Sequence, residues 1–329
     1  MATNKPKTGG GIVKEYLSRF PTLPKLTLAK KIYKENKLQF TDVEHVRARI
    51  RYYTGSTGKY HRGNTLDRSQ FNRKTEFNLP ESYALTYEPY VISQSKILIL
   101  SDLHFPYQDN QAIRAAIKYG KEKKVTCILI NGDLLDFANI SRHEKDWRMR
   151  SVSQEFEAVR EFLIELRSHF PKCKIVFKEG NHDERFEKYL FTKAPEIFDD
   201  NEFKLEVRLR LAELRIDIVK DMLPIKIGKL NVLHGHELQG GGGVNPARAT
   251  FLKTIDNVLI GHCHRSSQHT EPTFSGDVIV VTSQGCLCGM YPMFSRINKW
   301  NHGFSYVELD IKTGEYQLQN LKIIKGKVF

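Results

Sequence analysis

The sequence predicts an α/β protein, a two-sheet β-sandwich flanked by helices, with a small helical module at its N-terminus. From residue 95, short apolar runs alternate with amphipathic segments, which is typical of βαβ units and a parallel sheet. After about residue 215 the apolar runs continue with few helices between them, which favours a second, partly antiparallel sheet. The first third instead has apolar residues at helical spacing.

Three short helices are predicted within residues 1–58. The first follows a run of three glycines, the second has apolar residues at helical spacing between Leu26 and Tyr33, and the third starts at a capping box at Thr41. Because a brief turn joins the last two helices, the module resembles a helix-turn-helix. Residues 59–94 are polar and lack periodicity, which is typical of a flexible basic linker, and residues 95–329 form the predicted catalytic domain.

Positive charge is concentrated in the front third. Residues 1–95 hold 17 Lys and Arg against 8 Asp and Glu, a net charge of +9, whereas the remainder holds 34 against 30, a net charge of +4. A basic appendage beside a near-neutral body indicates a polyanionic partner, most simply DNA, although a solvated tail fits the same pattern. In the DNA interpretation, the third helix brings Arg47, Arg49 and Arg51 toward the phosphates. Three-helix packing is also common for other reasons.

The catalytic domain begins with predicted strands separated by helices. Strands are expected at 96–100, 125–130 and 174–177, and helices at 108–123 and 151–168. A Lys-Thr-Gly-Glu sequence at 312–315 predicts a hairpin turn between the last two strands. Later apolar runs predict the strands of the second sheet, at 216–219, 230–233, 258–260, 278–281 and 304–309.

Targeting signals and cysteine usage indicate where the protein works. No apolar stretch approaches the ~20 residues that a membrane-spanning helix needs, and the N-terminus lacks the apolar region of a secretion signal. The five cysteines form no paired framework, which favours a reducing compartment. We therefore expect a cytoplasmic protein without a membrane partner. The oligomeric state stays open.

Five short segments, far apart in the chain, carry side chains of metal-binding types. Most of them directly follow an apolar run. Their mixture of carboxylate, imidazole and amide suits divalent first-row metals, with Mn foremost and Fe or Zn as alternatives. The segments are Asp102-Leu103-His104, Gly132-Asp133-Leu134-Leu135-Asp136, Gly180-Asn181-His182-Asp183, His234-Gly235-His236 and Gly261-His262-Cys263-His264.

These segments are expected to meet at one edge of the sheet, because ligands of open α/β sheets bind beyond the carboxyl ends of the strands. Asp102 and His104 lie two residues apart just past a predicted strand, so both side chains can point at one ion. A glycine before Asp133, Asn181 and His262 permits the tight, often positive-φ turn that directs each side chain into the crevice.

The five segments resemble the signature motifs of the calcineurin-like metallophosphoesterases, over roughly residues 95–310. The resemblance implies a metallophosphoesterase sandwich of two sheets and two divalent metal ions that share Asp133. It also implies the ligands, which are Asp102, His104, Asp133 and His264 for one ion and Asp133, Asn181, His234 and His262 for the other.

The chemistry of two such ions suggests roles for the neighbouring residues. Two cations that share a carboxylate and a water make that water acidic enough to act as a bridging hydroxide, which attacks phosphorus in line. His182 follows a ligand but is not one, so it is free to protonate the departing alkoxide, and Asp136 is expected to orient it. Arg185, His143 and His236 are candidate substrate-binding residues, with His236 beside the ligands rather than among them.

The residue after Asp136 narrows the substrate. Phosphoprotein phosphatases of this superfamily have Arg-Gly there, whereas this chain has Phe137-Ala138, which disfavours protein dephosphorylation. The GDLLD and GNHD forms look more like the repair-nuclease and phosphodiesterase branches. We therefore predict a metal-dependent hydrolase of phosphodiesters, and within that class a nuclease acting on DNA.

Two alternatives stay open. The first is a phosphatase, or a phosphodiesterase acting on cyclic nucleotides or other small molecules, whose front module has a separate binding role. The second is a nucleic-acid-binding scaffold whose metals are structural.

A glycine-rich segment follows the fourth motif. Asn245 and Pro246 are of the types preferred at the N-cap and first position of a helix, which predicts a helix through residues 247–253. The start of this helix is either a phosphate site or a plain flexible connection.

Overall fold

The computed structural model describes residues 8–55, 79–142, 150–239 and 243–329. The chain divides into two compact units, the first extending to Ala84 and the second running from Leu85 to Phe329. Each unit buries apolar clusters of its own.

The described residues of the first unit form three α-helices, α1 (Gly9–Arg19), α2 (Lys25–Glu35) and α3 (Val43–Tyr53). All three predicted helices are therefore present. The N-cap of α3 is Asp42 rather than the expected Thr41, because the Asp42 carboxylate accepts the N–H of His45 at 2.7 Å. The apolar faces of the helices form one core, made of Ile12, Val13, Leu28, Ala29, Ile32, Phe40, Val46 and Ile50.

The second unit contains all the strands of the described residues. Its first half alternates strands and helices as predicted, and its second half is mostly strand. In chain order its elements are β1 (Tyr90–Val91), β2 (Lys96–Leu100), α4 (Asn110–Lys123), β3 (Cys127–Asn131), α5 (Val152–His169), β4 (Lys174–Lys178), α6 (Glu184–Lys193), α7 (Leu205–Arg208), β5 (Ile216–Val219), β6 (Ile225–Ile227), β7 (Leu230–Leu233), α8 (Pro246–Thr254), β8 (Val258–Ile260), β9 (Ser267–Pro272), β10 (Val278–Ser283), β11 (Gly303–Leu309), β12 (Tyr316–Ile324) and β13 (Lys327–Val328).

The strands form two sheets. The seven-stranded sheet has the order β13-β12-β11-β2-β3-β4-β5, with β2 to β5 parallel and β11 to β13 antiparallel. The six-stranded sheet has the order β1-β6-β7-β8-β10-β9 and mixes parallel and antiparallel pairs. The predicted two-sheet α/β class is therefore confirmed.

Two assignments of strand to sheet differ from the prediction, and one strand lies in the predicted linker. Both β5 and β11 were expected in the second sheet, but β5 pairs with β4 and β11 pairs with β2 in the first. The short strand β1 pairs with β6, so the end of the predicted 59–94 linker belongs to the sandwich. Apolar periodicity identifies a strand without identifying its neighbour, which depends on contacts distant in sequence.

Alternation along β2 explains how the layers pack. Ile97 and Ile99 lie in the apolar cluster between the two sheets, whereas Leu98 and Leu100 lie in the cluster that contains the helices. All four side chains are fully buried, as expected for a strand covered on both faces. The carboxyl ends of β2, β3 and β4 are thus held in place from both sides, at the edge where the metal-binding segments begin.

The hairpin at the chain's end follows its predicted turn. Leu309 pairs with Tyr316 across it, and the N–H of Gly314 donates to the carbonyl of Asp310 at 2.8 Å. All five cysteines are free thiols. No helix within the described ranges combines the length and apolarity that a membrane crossing needs.

Candidate metal centre

The five segments meet beyond the carboxyl ends of parallel strands. Asp102 follows β2, Asp133 follows β3, Asn181 follows β4, and two histidine segments follow β7 and β8. Hydrogen bonds from the backbone join the first two segments, since the N–H groups of Leu103 and His104 both donate to the carbonyl of Asp133 at 3.0 Å. The segments therefore form one surface rather than independent loops.

One group of four possible ligands surrounds a single point. In it, the ligand atoms of Asp102, His104, Asp133 and His264 all lie within 4.8 Å of one another. Nε2 of His264 is 3.2 Å from Oδ1 of Asp102, and Nε2 of His104 is 3.6 Å from Oδ2 of Asp133. This group consists of the same four residues as the first ligand set that the family resemblance implies.

A second group shares Asp133 with the first. Its ligand atoms, from Asp133, His234 and His262, also lie within 4.8 Å of one another. Nε2 of His234 is 3.2 Å from Oδ2 of Asp133. Asn181, the fourth residue of the implied set, has its side-chain oxygen buried and without a hydrogen-bond partner among the described residues. Asp133 is therefore the one carboxylate common to both groups.

Hydrogen bonds to Nδ1 turn the imidazoles so that Nε2 faces the centre. Nδ1 of His104 is 2.9 Å from Oδ1 of Asp136, and Nδ1 of His234 is 2.8 Å from the carbonyl oxygen of Asn131. Partners of this kind fix both the ring orientation and the tautomer of a metal-binding histidine. Asp136 therefore supports a candidate ligand, in addition to its expected contact with His182.

Left-handed backbone at the ligands themselves was not predicted. Asp102, His104, Asp133, His262 and His264 all have φ between 50° and 61°. Non-glycine residues avoid this region unless the surrounding structure enforces it, and such residues cluster at functional sites. The backbone therefore stores strain at five of the candidate ligands.

The three glycines that precede a candidate ligand serve two purposes: Gly132 makes the expected positive-φ turn, whereas Gly180 and Gly261 permit a close approach of neighbouring segments. Gly132 has φ +84°, but Gly180 and Gly261 lie outside the left-handed region. A Cβ on Gly180 would lie 2.3 Å from Oδ1 of Asp133, and one on Gly261 would lie 2.0 Å from Oγ of Ser101. At these two positions glycine is required because neighbouring segments approach too closely for any side chain.

The carboxylates dominate the electrostatics of the centre. Burial opposes ionisation of Asp102, but His264 and His234 outweigh burial and lower its pKa to about 2. Burial also opposes the charge on His234, yet Asp133 raises the pKa of His234 to about 10. Burial, assisted by His234, lowers the pKa of His262 to about 4. The centre thus attracts positive charge, while His262 presents a neutral lone pair.

The donor set fits divalent cations. Oδ1 of Asn181 and Nδ1 of His262 are buried and accept no hydrogen bond from the described part of the chain. Buried polar atoms normally have a partner, and a cation supplies one for each of these lone pairs. Carboxylate, imidazole and amide ligands together suit Mn, Fe or Zn.

His182 and Asp136 lie together beside the two groups. Nδ1 of His182 is 3.2 Å from Oδ1 of Asp136 and 2.9 Å from its carbonyl oxygen, while Nε2 is 4.0 Å from Oδ2 of Asp133. Arg185 reaches the same place, since its guanidinium donates to the carbonyl of Asp136 at 2.9 Å and lies 2.9 Å from Nε2 of His182. His182 and Asp136, which were predicted as site residues outside the ligand sets, therefore adjoin the centre. Arg185, a third predicted site residue, contacts both of them.

Of the other two predicted substrate contacts, the structure places one, His236. His236 is half-buried, and its Nε2 is 3.1 Å from Oε1 of Glu184. Its ring lies 5.3 Å from that of His234, so it adjoins the ligands without belonging to either group. His143 lies outside the described residues.

The three arginines of α3 do not share a face. Positions 47 and 51 are one turn apart, and Arg47 and Arg51 both contact Glu44. Arg49 points elsewhere, because a Cβ on Gly10 of α1 would lie 3.6 Å from its guanidinium. Of the three arginines predicted to face DNA, therefore, only Arg47 and Arg51 share a face of the helix. Helical geometry of 3.6 residues per turn is the reason.

The start of α8 is already satisfied by protein groups. Asn245 and Pro246 occupy the predicted cap and first position. The N–H of Ala247 donates to Oγ of Ser267 at 3.0 Å, and that of Arg248 donates to Oδ1 of Asn245 at 3.1 Å. With these N–H groups occupied, the structure favours the plain connection over a phosphate site.

A buried ion pair that the sequence did not indicate holds the fourth segment. The Glu237 carboxylate accepts the N–H groups of His234 at 3.0 Å and Gly235 at 2.6 Å. Nζ of Lys178, at the end of β4 and fully buried, lies 2.9 Å from Glu237. Glu237 comes three residues after His234. This spacing is the one sequence signal that a carboxylate accepts the backbone N–H groups of the His234 turn.

Asp183 has a similar supporting role for the third segment. Its buried carboxylate accepts the N–H groups of Leu135 at 2.9 Å and Gly180 at 2.8 Å. It thereby ties the Asp133 segment to the Asn181 segment, and both segments keep their relative position.

The sequence profile of the calcineurin-like phosphoesterase family matches residues 95–287, which is more than half of the chain. The chain belongs to the calcineurin-like phosphoesterase family. All the candidate ligands of the two groups lie within the matched range. The family and the ligand groups together make the protein a metal-dependent phosphoesterase that uses divalent ions.

Similar proteins include the Gene 54 protein of Mycobacterium phage L5, which is 27% identical over 180 residues, covering 52% of this chain and 69% of that protein. Among solved structures, Vacuolar Protein Sorting 29 from Cryptosporidium parvum has a TM-score of 0.40 at 13% identity, covering 72% of this chain and 95% of that one. Yfce, a phosphoesterase from E. coli, has a TM-score of 0.33 at 16% identity, covering 68% and 98%. The family assignment rests on the profile match.

The Lys178–Glu237 pair gives a first prediction. Glu237→Gln removes the charge that holds Lys178 and weakens the support of His234, so affinity for Mn²⁺ should fall about 10- to 100-fold, as for other residues that orient metal ligands. Isothermal titration with Mn²⁺ measures the change. Glu271→Gln, an exposed carboxylate on β9, is the matched control and should bind Mn²⁺ as the wild type does. Equal Mn²⁺ affinity in all three proteins would contradict the role of Glu237.

Glu155 of α5 gives a second prediction, on pH. Burial raises its pKa to about 8, while its carboxylate accepts the N–H of Phe137 at 2.6 Å. Between pH 4.5 and 8 the folded chain binds a proton that the unfolded chain has lost, so stability should decline as pH rises through this window.

Glu155→Gln keeps an acceptor for Phe137 and cannot ionise. The variant should therefore match the wild type in free energy of unfolding near pH 4.5 and exceed it near pH 9. Urea unfolding at the two pH values makes the comparison, with exposed Glu157→Gln of the same helix as control. A constant difference between wild type and Glu155→Gln across the window would show that Glu155 is ionised throughout.

Proposed function

We propose that this metal-dependent phosphoesterase is a phosphodiesterase that cleaves DNA, with Mn²⁺ as its working metal. Two observations support this proposal. The residue after Asp136 disfavours phosphoproteins as substrates, and the basic first unit suits a polyanion.

Phe137 occupies the position where phosphoprotein phosphatases have arginine. Its side chain is fully buried, with ring centroids 5.4 Å from Phe156 and 5.6 Å from Phe186. A buried, apolar phenyl ring cannot contact a phosphate group as an arginine at this position would. The position therefore serves the core beneath the centre, which supports a substrate other than a phosphoprotein.

The chain's own residues position the substrate and move a proton. Divalent ions at the two ligand groups would act as Lewis acids on the phosphoryl oxygens and activate the attacking water. His182 is suited to protonate the leaving oxygen, because Asp136 holds its Nδ1 and leaves Nε2 on the side of Asp133. Burial opposes protonation of His182, but Asp133 and Asp136 outweigh it and raise the pKa.

Arg185 competes for the same nitrogen. Nε2 of His182 cannot accept from Arg185 and carry a proton to the leaving group at once. When a phosphodiester enters, the guanidinium therefore moves to the phosphoryl oxygens, which match its bidentate geometry. Substrate binding thus draws Arg185 away from His182 and frees Nε2 of His182 to act as the general acid.

The first unit supplies the attraction to nucleic acid. Over residues 8–55 of this unit, ten side chains are Lys or Arg and four are Asp or Glu, a net charge of +6. Arg47 and Arg51 project from one face of α3, where Glu44 holds both. Phosphate oxygens are stronger competitors for arginine than one exposed glutamate, so this face is suited to a DNA backbone.

A substrate panel with Mn²⁺ tests the reaction type. Single-stranded DNA, duplex DNA and a cyclic nucleotide should be cleaved faster than 4-nitrophenyl phosphate, and EDTA should abolish all activity. His182→Ala should slow DNA cleavage about 10²- to 10⁴-fold through loss of the general acid. The same variant should affect a 4-nitrophenyl diester far less, because nitrophenolate leaves without a proton. Faster monoester hydrolysis would overturn the diester proposal, and equal losses on both diesters would exclude His182 as the acid.

A charge variant tests the role of the first unit. Arg47→Gln combined with Arg51→Gln should weaken binding of duplex DNA, and the slope of log affinity against log salt should shrink by roughly two, about one for each phosphate that is no longer neutralised. Lys322→Gln combined with Lys327→Gln makes the same change of charge on β12 and β13, and should leave the slope unaltered. Equal effects of the two double variants would mean that net charge alone attracts DNA.

A further inference from the structure

A cavity opens directly beside the second ligand group. It has a volume of about 370 Å³, within the range of small-molecule sites. His262, a candidate metal ligand, forms part of its wall, so a group bound in the cavity lies next to the reacting centre. Its lining residues are Gly243, Pro246, His262, Cys263, Arg265, Lys299 and Trp300.

Trp300 supplies an aromatic face at this cavity. It is half-buried, and its ring centroid lies 4.2 Å from that of His264, a ligand of the first group. The indole therefore links the cavity to both groups, since His262 and His264 lie two residues apart. An indole face beside a phosphodiester-cleaving centre suits stacking of a base, because every base has a π-face.

The segment that carries Trp300 is fixed in place. Nδ2 of Asn298 donates to the carbonyls of Met290 and Ser295, both at 2.7 Å, and Oδ1 of Asn298 accepts the N–H of Trp300 at 3.0 Å. One residue further on, the N–H of Asn301 donates to the carbonyl of His264 at 2.9 Å. The indole is thereby positioned from its own loop and from the ligand segment.

The charge of the region matches a nucleic-acid strand. From 289 to 302 the sequence contains Arg296 and Lys299 but no Asp or Glu. Both cations are exposed, and neither forms an ion pair within the described ranges. Arg265, on the cavity wall, donates through one terminal nitrogen to the carbonyls of Gly243, at 2.8 Å, and Val244, and its other N–H groups have no partner among the described residues.

Aromatic side chains continue outward from the cavity. Tyr291 is 69% exposed and Phe294 is 81% exposed, and the Phe294 ring lies 6.4 Å from that of Trp300. Cations interleaved with exposed aromatics are the means by which proteins hold unpaired strands, with stacking for the bases and charge for the backbone.

We propose that this cavity is a nucleoside subsite, in which the unpaired base adjoining the scissile phosphodiester stacks on Trp300 while Lys299 and Arg265 face the backbone. This inference rests on the proposed phosphodiesterase function and specifies its substrate as a strand with an unpaired base at the cleavage point. A base inside a duplex is stacked between its neighbours and presents no free face to the indole, so duplex must open locally before it is cut.

Two diesters with the same leaving group test the subsite. Thymidine 5′-(4-nitrophenyl phosphate) carries a nucleoside, and methyl 4-nitrophenyl phosphate does not. The ratio of their kcat/KM values measures what the nucleoside contributes, and any damage to the metal centre cancels in that ratio. For the wild-type protein with Mn²⁺, stacking should make the ratio about ten or more.

Substitutions of Trp300 test whether its indole accounts for the ratio of the two kcat/KM values. Trp300→Leu should lower it about tenfold, and Trp300→Phe, which keeps an aromatic face, should stay within about threefold of the wild type. Phe274→Leu, an exposed aromatic at the opposite end of the β9–β10 pair, is the control and should keep the wild-type ratio. A ratio near one, or one that Trp300→Leu leaves unchanged, would overturn the proposal.

A binding measurement separates failure of the subsite from failure of the proposed function. If the wild type hydrolyses neither diester, the phosphodiesterase function is wrong, and calorimetric binding of thymidine 5′-monophosphate against methyl phosphate then decides the subsite. Tighter binding of the nucleotide that Trp300→Leu removes and Trp300→Phe retains would support it. Equal affinity for the two phosphates would refute it.

Discussion

The arrangement of the second unit depends on one buried carboxylate, that of Asp133. Its Oδ2 lies 3.2 Å from His234 and 3.6 Å from His104, and its Oδ1 accepts the N–H of His182 at 2.9 Å. Its backbone carbonyl also receives the N–H groups of the first segment. Two ligand groups, a general-acid candidate and the turn after β2 therefore all take their positions from this residue. A strained φ of 52° at Asp133 is tolerated because so many contacts enforce it.

A surrounding set of buried charges keeps these groups in place. Asp183 ties the Asn181 segment to the turn after Asp133, and Glu237, paired with Lys178, holds the turn that carries His234. A buried ion pair is a weak source of stability, since removing its charges from water costs several kcal/mol per ion. Its value here is positional, because rigid ligands bind a metal without a further ordering cost. The cavity beside Trp300, by contrast, is lined by the cationic side chains of Arg265 and Lys299.

The sequence anticipated the ligand groups because each segment directly follows a strand, and parallel strands bring their carboxyl ends to one edge. The same local signals located β2, β4, α5 and the final hairpin. They did not place β5 and β11 in the correct sheet, since strand pairing depends on distant contacts. Nor did they reveal the Lys178–Glu237 pair or the cavity beside Trp300, whose members are separated by tens of residues. The position of Arg49, by contrast, was predictable from the sequence. The helical repeat of 3.6 residues per turn places it on a different face from Arg47 and Arg51.

The central claim is that the Asp133 carboxylate is shared by two metal ions. Electron paramagnetic resonance of the protein loaded with two equivalents of Mn²⁺ tests it most directly, because ions 3.5–4 Å apart, the separation roughly typical of two-metal sites, are magnetically coupled. We expect a multiline spectrum of an exchange-coupled pair in the wild type, replaced by the six-line signal of isolated Mn²⁺ in Asp133→Ala. A six-line signal from the wild-type protein, with one ion bound or two uncoupled, would contradict the account.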